Sequence, residues 1–332
     1  MSDVGRMAGV SAQTVSRFFT GTGYVGEETR LRIQHAIDAL GYRPNRIARN
    51  LHVSRTDTIG VLTVGDFNYG SAQTLTGMSA GAQDADVALI TTHLEQGEMP
   101  RPRQVQVAIE RMISMRVDGI IISARIEGLE GILVETVRDD VPVVVIAGRP
   151  DTSVDSIVAD SFTAGSLVMQ HLLELGHRSI VYLAGPVDSD ESRERERAYH
   201  RAMSRAGIPA LPIVAGGDWT SIAGYNAGLQ VDFSSLTAVF AGNDELALGF
   251  MAAARERGHS IPDDFSIAGV DDMPEARFFA PALTTARLDF SALGRGAFDM
   301  IRRRVDTGEP QDRILVAPQL VVRRSTAALS TR

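Results

Sequence analysis

The sequence predicts a small all-α domain of the helix-turn-helix type, followed by an α/β body built from two doubly wound parallel sheets. Residues 1–43 carry three amphipathic helix patterns separated by glycine-containing turns. From Thr58 onward, short apolar runs alternate with helical patterns such as 104–115 and 162–175. That alternation is typical of parallel sheets with helices on both faces. A chain of 332 residues is long enough for two or three such folded units.

Composition excludes several functional classes. The chain has no cysteine, which excludes disulfides, thiolate nucleophiles and cysteine-ligated metal sites. All 33 basic residues are arginine, and Schiff-base enzymes, Walker-A ATPases and protein kinases are excluded because each needs a lysine amine. The sequence has no apolar run of about 18 residues and no apolar segment at its N-terminus. We therefore expect a cytoplasmic protein with no membrane partner.

Charge is distributed unevenly along the chain. Residues 1–55 contain eight arginines and four acidic residues, whereas the remainder contains 25 arginines and 37 acidic residues. A basic head on an acidic body suggests that only the head binds a polyanion such as nucleic acid.

Local signals define the three helices of the head. Ser2 can cap the first helix, which ends at Gly9, and Ser11 can cap the second. The third helix is predicted over 27–40 and ends at Gly41. Two short helices joined by a glycine turn form a helix-turn-helix, whose second helix fits the major groove of DNA.

The second helix presents side chains that can read bases. Gln13 can form two hydrogen bonds with an adenine edge, and Arg17 can do the same with guanine. The alternative is an ordinary polar face exposed to water. After this helix, residues 21–26 match the G-x-G-x-x-G pattern of dinucleotide-binding loops. No βαβ unit surrounds them, so we interpret them as a loop between helices.

Residues 44–57 are interpreted as a hinge helix and linker. The segment is compatible with a helix but is too short to be stable in water by itself. In a dimer, two copies could lie together in the minor groove of DNA, with Leu51 inserted between base pairs. An ordinary linker is the alternative.

Several motifs together resemble one family. They are Asp3-Val4, Ala8-Gly9-Val10-Ser11, Thr14-Val15-Ser16-Arg17, Tyr24-Val25, Leu40-Gly41-Tyr42-Arg43-Pro44-Asn45, Ala48-Arg49 and Leu51. These motifs are similar to those of the lactose-repressor (LacI/GalR) family of bacterial transcription regulators, and the similarity runs nearly end to end. It implies a sequence-specific DNA-binding regulator, expected to be a repressor, whose operator affinity a small-molecule effector controls. It also implies a body like that of periplasmic binding proteins.

The resemblance assigns the DNA contacts to the second helix and the hinge. The expected DNA-binding residues are Ser11, Ala12, Gln13, Thr14, Ser16, Arg17, Asn45, Arg49 and Leu51. The expected partner is palindromic double-stranded operator DNA bound by a homodimer, because two recognition helices on one face of a duplex match two half-sites. The C-terminal tail has no leucine heptads, so no tetramerising coiled coil is expected.

The same resemblance sets the expected domain boundaries. Residues 1–43 form the DNA-binding domain and 44–57 the hinge and linker. The first body subdomain is expected to comprise 58–159 plus 288–317. The second is expected to comprise 160–287 plus 318–332.

Polar residues follow several predicted strands of the body. Asn243 and Asp271 each come at a strand end, where parallel α/β sheets bind ligands, and Arg195 and the single tryptophan, Trp219, lie in nearby segments. Such groups beside an aromatic ring suit a polyol. Each residue also has an ordinary structural interpretation. Asn243 could be a helix cap, Asp271 a turn residue, Arg195 part of a solvated helix face and Trp219 part of the core. The resemblance assigns effector contacts to Arg195, Trp219, Asn243, Asp271 and Phe290, so a carbohydrate or sugar derivative is the expected effector.

Three positions depart from the pattern of sugar-binding members. Ala147 stands where several of them carry Asp, and Val64 and Leu288 are apolar where the lactose-binding pattern has polar contacts. A lactose-type inducer is therefore not assumed.

A transport-type binding protein and an enzyme are the alternative functional classes. A transport-type sugar-binding protein would have a similar body but needs export, against which the basic head argues. An enzyme could use Asp271 and Asp272, but adjacent strand residues point to opposite faces. His171 and His177 are interpreted as a helix-face residue and a loop residue rather than metal ligands. We expect no catalytic residue, no metal and no cofactor.

Overall fold

The computed structural model describes residues 1–20, 23–42, 55–65, 67–94, 102–124, 126, 129–137, 141–146 and 154–329. The chain divides into two compact units, Met1–Thr56 and Asp57–Arg332, called the head and the body.

The head contains three helices: α1 (Ser2–Ala8), α2 (Ala12–Thr20) and α3 (Glu27–Leu40). Gly9 and Gly41 end α1 and α3 in the left-handed conformation, with φ of 65° and 56°. Glycine adopts this conformation without the steric cost that a Cβ brings. All three predicted helices are present. They enclose a small apolar core of Val4, Ala8, Val15, Val25, Ile33 and Ala36.

The first sheet of the body has six parallel strands in the order β11-β5-β4-β3-β1-β2. Its strands are β1 (Thr58–Val64), β2 (Ala88–Leu94), β3 (Gly119–Ser123), β4 (Val143–Ile146), β5 (Asp155–Ala159) and β11 (Ile314–Val316). Its helices are α4 (Tyr69–Asp84), α5 (Pro102–Ser114), α6 (Leu129–Thr136) and α11 (Phe290–Thr307). The last helix packs on α4 and on the sheet, so it belongs to this subdomain although it comes late in the chain.

The second sheet has the order β12-β10-β9-β8-β6-β7. Its strands are β6 (Ile180–Ala184), β7 (Val214–Ala215), β8 (Ala238–Ala241), β9 (Ser266–Asp271), β10 (Thr284–Arg287) and β12 (Gln319–Val321). Its helices are α7 (Ser161–Glu174), α8 (Asp190–Arg205), α9 (Ser221–Gln230) and α10 (Asp244–Glu256). All pairs of this sheet are parallel except that of the edge strand β12, which pairs antiparallel with β10.

Alternate strand residues build a core on each face of the second sheet. Val181, Val239 and Ile267 point into one apolar cluster, and Tyr182 and Phe240 point into the other. This two-residue period puts every side chain of these strands under a helix layer. The continuous apolar runs of the sequence are thus explained by burial on both faces.

The chain passes between the two sheets three times. It crosses at Asp160 between β5 and α7, at 288–289 between β10 and α11, and at 317–318 between β11 and β12. These short connections hold the two subdomains side by side, and Phe290, just after the second crossing, packs against apolar clusters of both. Among the described residues, no helix is both long enough and apolar enough to cross a membrane.

Candidate functional site

The predicted base-reading face of α2 is accessible. Ser11 caps the helix by accepting a hydrogen bond from the Thr14 backbone N–H at 3.1 Å, as its position in the sequence predicts. Gln13 and Arg17 are exposed, four residues apart and so on the same face, while Val15 is fully buried. Of the other predicted DNA contacts, Ser11 and Ala12 are exposed, and Thr14 and Ser16 are half-buried. Asn45, Arg49 and Leu51 lie outside the described residues.

The glycine-rich segment lies between two helices. Its described part, 23–26, connects α2 to α3, and no strand precedes it within the described part of the head. A dinucleotide-binding loop follows a strand and opens a helix within a βαβ unit. The described part of the G-x-G-x-x-G match is therefore a helix-to-helix loop.

Asn243 holds two elements of the second subdomain together. It follows β8 and caps α10, where its Oδ1 accepts a hydrogen bond from the Leu246 N–H at 2.8 Å. Its Nδ2 donates to the Trp219 carbonyl oxygen at 3.1 Å. The helix-cap interpretation of this residue is thus observed, and the same amide positions the segment that carries the tryptophan.

Arg195 is buried on α8 and is surrounded by the other predicted site residues. Its Nη1 donates to the Gly242 carbonyl oxygen, and its Nη2 lies 3.6 Å from Oδ1 of Asp271. Its guanidinium lies 5.2 Å from the centre of the Trp219 ring, a cation–π distance. Three of the five predicted effector residues therefore meet at one point.

Asp271 ends β9 in a strained conformation, with φ of 114°. Burial raises its pKa to about 7, and the Arg195 guanidinium only partly offsets this. Neither Oδ1 of Asp271 nor Nε of Arg195 has a hydrogen-bond partner within the described part of the chain. Arg195 and Asp271 are therefore buried together, and each keeps one polar atom available for a further hydrogen bond.

The neighbouring Asp272 serves a different purpose. Its carboxylate accepts hydrogen bonds from Arg287 and Arg323, which ties β9 to β10 and to the C-terminal segment. The two adjacent aspartates therefore have separate arginine partners.

Asp244 holds the turn after β9 in place by hydrogen bonds from the protein interior. It is fully buried, accepts from Thr285 Oγ1 at 2.6 Å and from the Met273 N–H at 2.9 Å, and burial raises its pKa well above the ordinary value. Asn243 and Asp244 both follow the predicted strand in the sequence, but the family resemblance assigns an effector contact only to Asn243. The role of Asp244 depends on β10 and the turn after β9, which are distant in sequence.

The Trp219 ring packs directly against the backbone of Gly185 and Gly242. A Cβ at Gly185 would lie 2.3–2.6 Å from three ring atoms, and one at Gly242 would lie 3.1 Å from the ring. The indole is half-buried and also contacts the apolar cluster of that face of the sheet. The Trp219 side chain thus packs in the core and also contacts Arg195 in the site.

Phe290 and Tyr69 form the opposite side of the site, in the first subdomain. Their ring centroids are 6.0 Å apart at an interplanar angle of 82°. Phe290 also fills the space beside Gly70, where a Cβ would lie 2.9 Å from its Cζ. Burial raises the pKa of Tyr69, and the nearby carboxylates, Asp271 first, raise it further.

One contact joins Tyr69 to the second subdomain directly. Its backbone interacts with the carboxylate of Glu245 at the start of α10, which lowers the pKa of that carboxyl against the larger upward effect of burial. Sequence reasoning missed both residues. The position of Tyr69 shortly after β1 was the available signal, because ligand-site residues follow strands in such folds.

The positions that depart from the sugar-binding pattern are only partly described. Val64 is half-buried and Leu288 is buried in the core of the second subdomain. Ala147 lies outside the described residues.

Comparison with known proteins assigns the chain to a family. The pattern for bacterial regulatory proteins of the lacI family matches residues 1–45, and that for periplasmic binding protein-like domains matches residues 169–326. The lactose operon repressor of Escherichia coli (strain K12) is 30% identical over 332 residues, which cover 99% of this chain and 91% of that protein. The chain belongs to the lacI family.

Solved structures agree with this lacI-family assignment and confirm the predicted fold class. A lac repressor dimer bound to operator and the anti-inducer ONPF matches with a TM-score of 0.91 and 28% identity, over 98% of both chains. A complex of the transcriptional regulator CelR with cellobiose matches with a TM-score of 0.70 and 26% identity, also over 98% of both chains. The family resemblance derived from the sequence motifs is therefore confirmed.

Proposed function

We propose that this lacI-family regulator is a homodimeric transcriptional repressor that binds a palindromic operator through its head and a small polyhydroxylated effector through its body. The observation that carries the proposal is the meeting of Arg195, Asp271 and Trp219 at the carboxyl ends of the second sheet. The accessible Gln13–Arg17 face in the same chain supplies the DNA-binding half.

On the DNA side, Gln13 and Arg17 read base edges in the major groove, with Ala12 beside them. Gln13 suits adenine and Arg17 suits guanine, and each good pair discriminates against a wrong base by about 1–3 kcal/mol. Ser11, Thr14 and Ser16 hold the helix on the DNA backbone. Asn45, Arg49 and Leu51 act in the hinge, where Leu51 inserts into a base step as a wedge and bends the duplex.

On the effector side, the unsatisfied polar atoms of Arg195 and Asp271 match hydroxyl groups, which can both donate and accept. Buried polar atoms gain most from a partner, because leaving them unpaired costs free energy. Trp219 and Phe290 add apolar surface for the carbon face of a sugar ring, and Asn243 keeps Trp219 in place. The cellobiose complex of CelR shows that a related fold binds a carbohydrate.

A homodimer follows from the palindromic operator, and the lac repressor dimer supports it. The second subdomain exposes large apolar side chains that such an interface would bury, including Ile222 at 71% and Phe278 at 80% exposure. The proposal places the protein with its DNA in the cytoplasm.

No catalytic step is part of this proposal. The two adjacent aspartates that could suggest a glycosidase are each engaged by different arginines, Asp271 by Arg195 and Asp272 by Arg287 and Arg323. A pair of carboxylates acting on one glycosidic bond would need to face a shared substrate.

Coupling between effector and operator requires two arrangements of the subdomains. A ligand shifts the balance only if it binds one arrangement better, typically by about 1–3 kcal/mol. Tyr69, Glu245 and Phe290 make contacts across the subdomains next to the effector site, so occupancy of the site changes them directly.

The proposal is tested in two steps. Selection from a library of random DNA should yield a palindromic consensus, and a thermal-shift screen of neutral and phosphorylated carbohydrates should raise the melting temperature with at least one compound, because a ligand that binds only the folded form stabilises it. No consensus would contradict the DNA-binding half. No shift with any carbohydrate would contradict the polyol effector.

A further inference from the structure

We propose that Gly23 is a positioning residue for base recognition, because its missing side chain leaves Arg17 free to point its guanidinium into the major groove. This inference rests on the proposed DNA-binding function and deepens it. It gives a role to the glycine-rich loop that the dinucleotide-binding pattern suggested but the fold does not use for a cofactor.

The evidence is a close approach between the loop and the recognition helix. A Cβ built on Gly23 would lie 3.6 Å from Cδ and 3.8 Å from Nε of Arg17. Both the loop residue and the arginine are exposed, so the contact lies on the surface that faces DNA in the proposed complex. Any side chain at position 23 would therefore touch the part of Arg17 that orients its guanidinium.

The loop is held in place at the point where it returns to the core. Val25 is 8% exposed and packs in the head core, and Gly23 has φ of 87°. The recognition helix is fixed to the same core by Val15. The loop at Gly23 and the recognition helix are thus anchored in the same apolar core, each two residues from the contact.

The chemistry of guanine recognition makes this space important. Arg reads guanine through two parallel N–H donors, so the guanidinium plane must be aligned with the base edge. A polar side chain at position 23 offers the guanidinium a competing acceptor and a steric limit. Preference for the base pair that Arg17 reads should then fall, while contacts to phosphates remain.

The test compares Gly23→Asn with Gly41→Asn in the full-length protein. Asparagine tolerates positive φ better than most residues, and Gly41 provides a matched control because it has φ of 56° and a Cβ added to it would meet nothing within 4 Å among the described residues. Melting curves verify that each variant folds. Binding is then measured on the selected operator and on operators changed at single base pairs.

The base pair read by Arg17 is first identified as the one whose preference disappears in Arg17→Ala. We expect Gly23→Asn to lower the preference at that base pair about 10-fold and at other positions less than about 3-fold, within the range of a bidentate arginine contact. In the Arg17→Ala background, Gly23→Asn should have no further effect on base preference, since it acts through Arg17.

Unchanged preference at that base pair, an equal loss with Gly41→Asn, or an additive loss in the double variant would each overturn the proposal. If Gly23→Asn fails to fold, Gly23→Asp provides the same comparison, because aspartate also tolerates positive φ and its carboxylate is a hydrogen-bond acceptor. Failure of the wild-type protein to select any operator would instead contradict the proposed function itself, so the two failures are distinguishable.

Discussion

The guanidinium of Arg195 and the carboxylate of Asp271 face each other at 3.6 Å, with only 4% and 11% of their side chains exposed. Two charges shielded in this way depend on each other, because each is costly to leave alone away from water. The pair lies at the carboxyl end of β9, where the effector is proposed to bind. The site therefore affects stability as well as recognition.

Arg195→Ala should destabilise the body strongly. Removing one partner of a buried pair costs about 3–5 kcal/mol when the other stays charged, so the loss should be largest above the Asp271 pKa of about 7. Urea unfolding measures the effect. The matched control is Arg197→Ala on the same helix, whose contacts with Glu194 and the Phe162 ring leave 64% of the arginine side chain exposed and should contribute only about 1 kcal/mol. Equal effects of the two substitutions would contradict the account.

Asp271→Asn should change how stability depends on pH. The pKa of Asp271 is raised in the folded state from 3.8 to about 7, so the folded protein binds this proton more tightly than the unfolded chain. The stability gained from protonation of Asp271 in the folded protein is fully present below the unfolded pKa and is lost as pH rises from about 4 to about 7. In that pH window the free energy of unfolding of the wild type should fall with a slope of up to one proton, and the variant should lack this slope. Parallel pH profiles would show that this carboxyl is not the titrating group.

Gly185→Ala should displace the single tryptophan. The new Cβ would overlap the Trp219 ring at 2.3–2.6 Å, and overpacking of this kind costs about 1–3 kcal/mol. We expect a red-shifted tryptophan emission and a lower melting temperature. Gly131→Ala in α6 is the control, because nothing lies within 4 Å of its Cβ position among the described residues and alanine favours helices. An unchanged emission spectrum would contradict the packing of Trp219 on the backbone of Gly185.

Glu245→Ala should weaken the coupling between effector and operator. It removes the carboxylate that interacts with the Tyr69 backbone across the two subdomains. The ratio of operator affinities with and without effector should change by about 0.5–2 kcal/mol, or roughly 2- to 30-fold. Glu256→Ala removes a carboxylate that bonds Tyr225 within one subdomain and serves as the control. The same coupling change in both variants would exclude a specific role for the Tyr69 contact.

The fold class could be predicted because its signals are local. Helix caps such as Ser11 and Gly41 act within one turn, and the buried strands are continuous apolar runs. The strands β5, β7, β10 and β12 were not predicted. β7 has only two residues, and β10 reads Thr-Thr-Ala-Arg, which is buried by its neighbours rather than marked by its own hydrophobicity.

The site was only partly predictable from the sequence. Arg195 lies in an alternating Arg-Glu run that is typical of a solvated helix, yet it is 3% exposed because Gly242, Asp271 and Trp219 enclose it. The roles of Tyr69 and Glu245 depend on how the two sheets are placed side by side. Local patterns carry no information about that placement, so this part of the site required the structure.

The most direct test of the central claim is the affinity of the full-length protein for its selected operator, measured by fluorescence anisotropy with and without the carbohydrate that raises its melting temperature. We expect the effector to change the operator Kd by about 5- to 150-fold, corresponding to a coupling of about 1–3 kcal/mol, and we expect this change to be lost in Asp271→Ala. An operator Kd that stays the same at saturating effector would contradict this coupling.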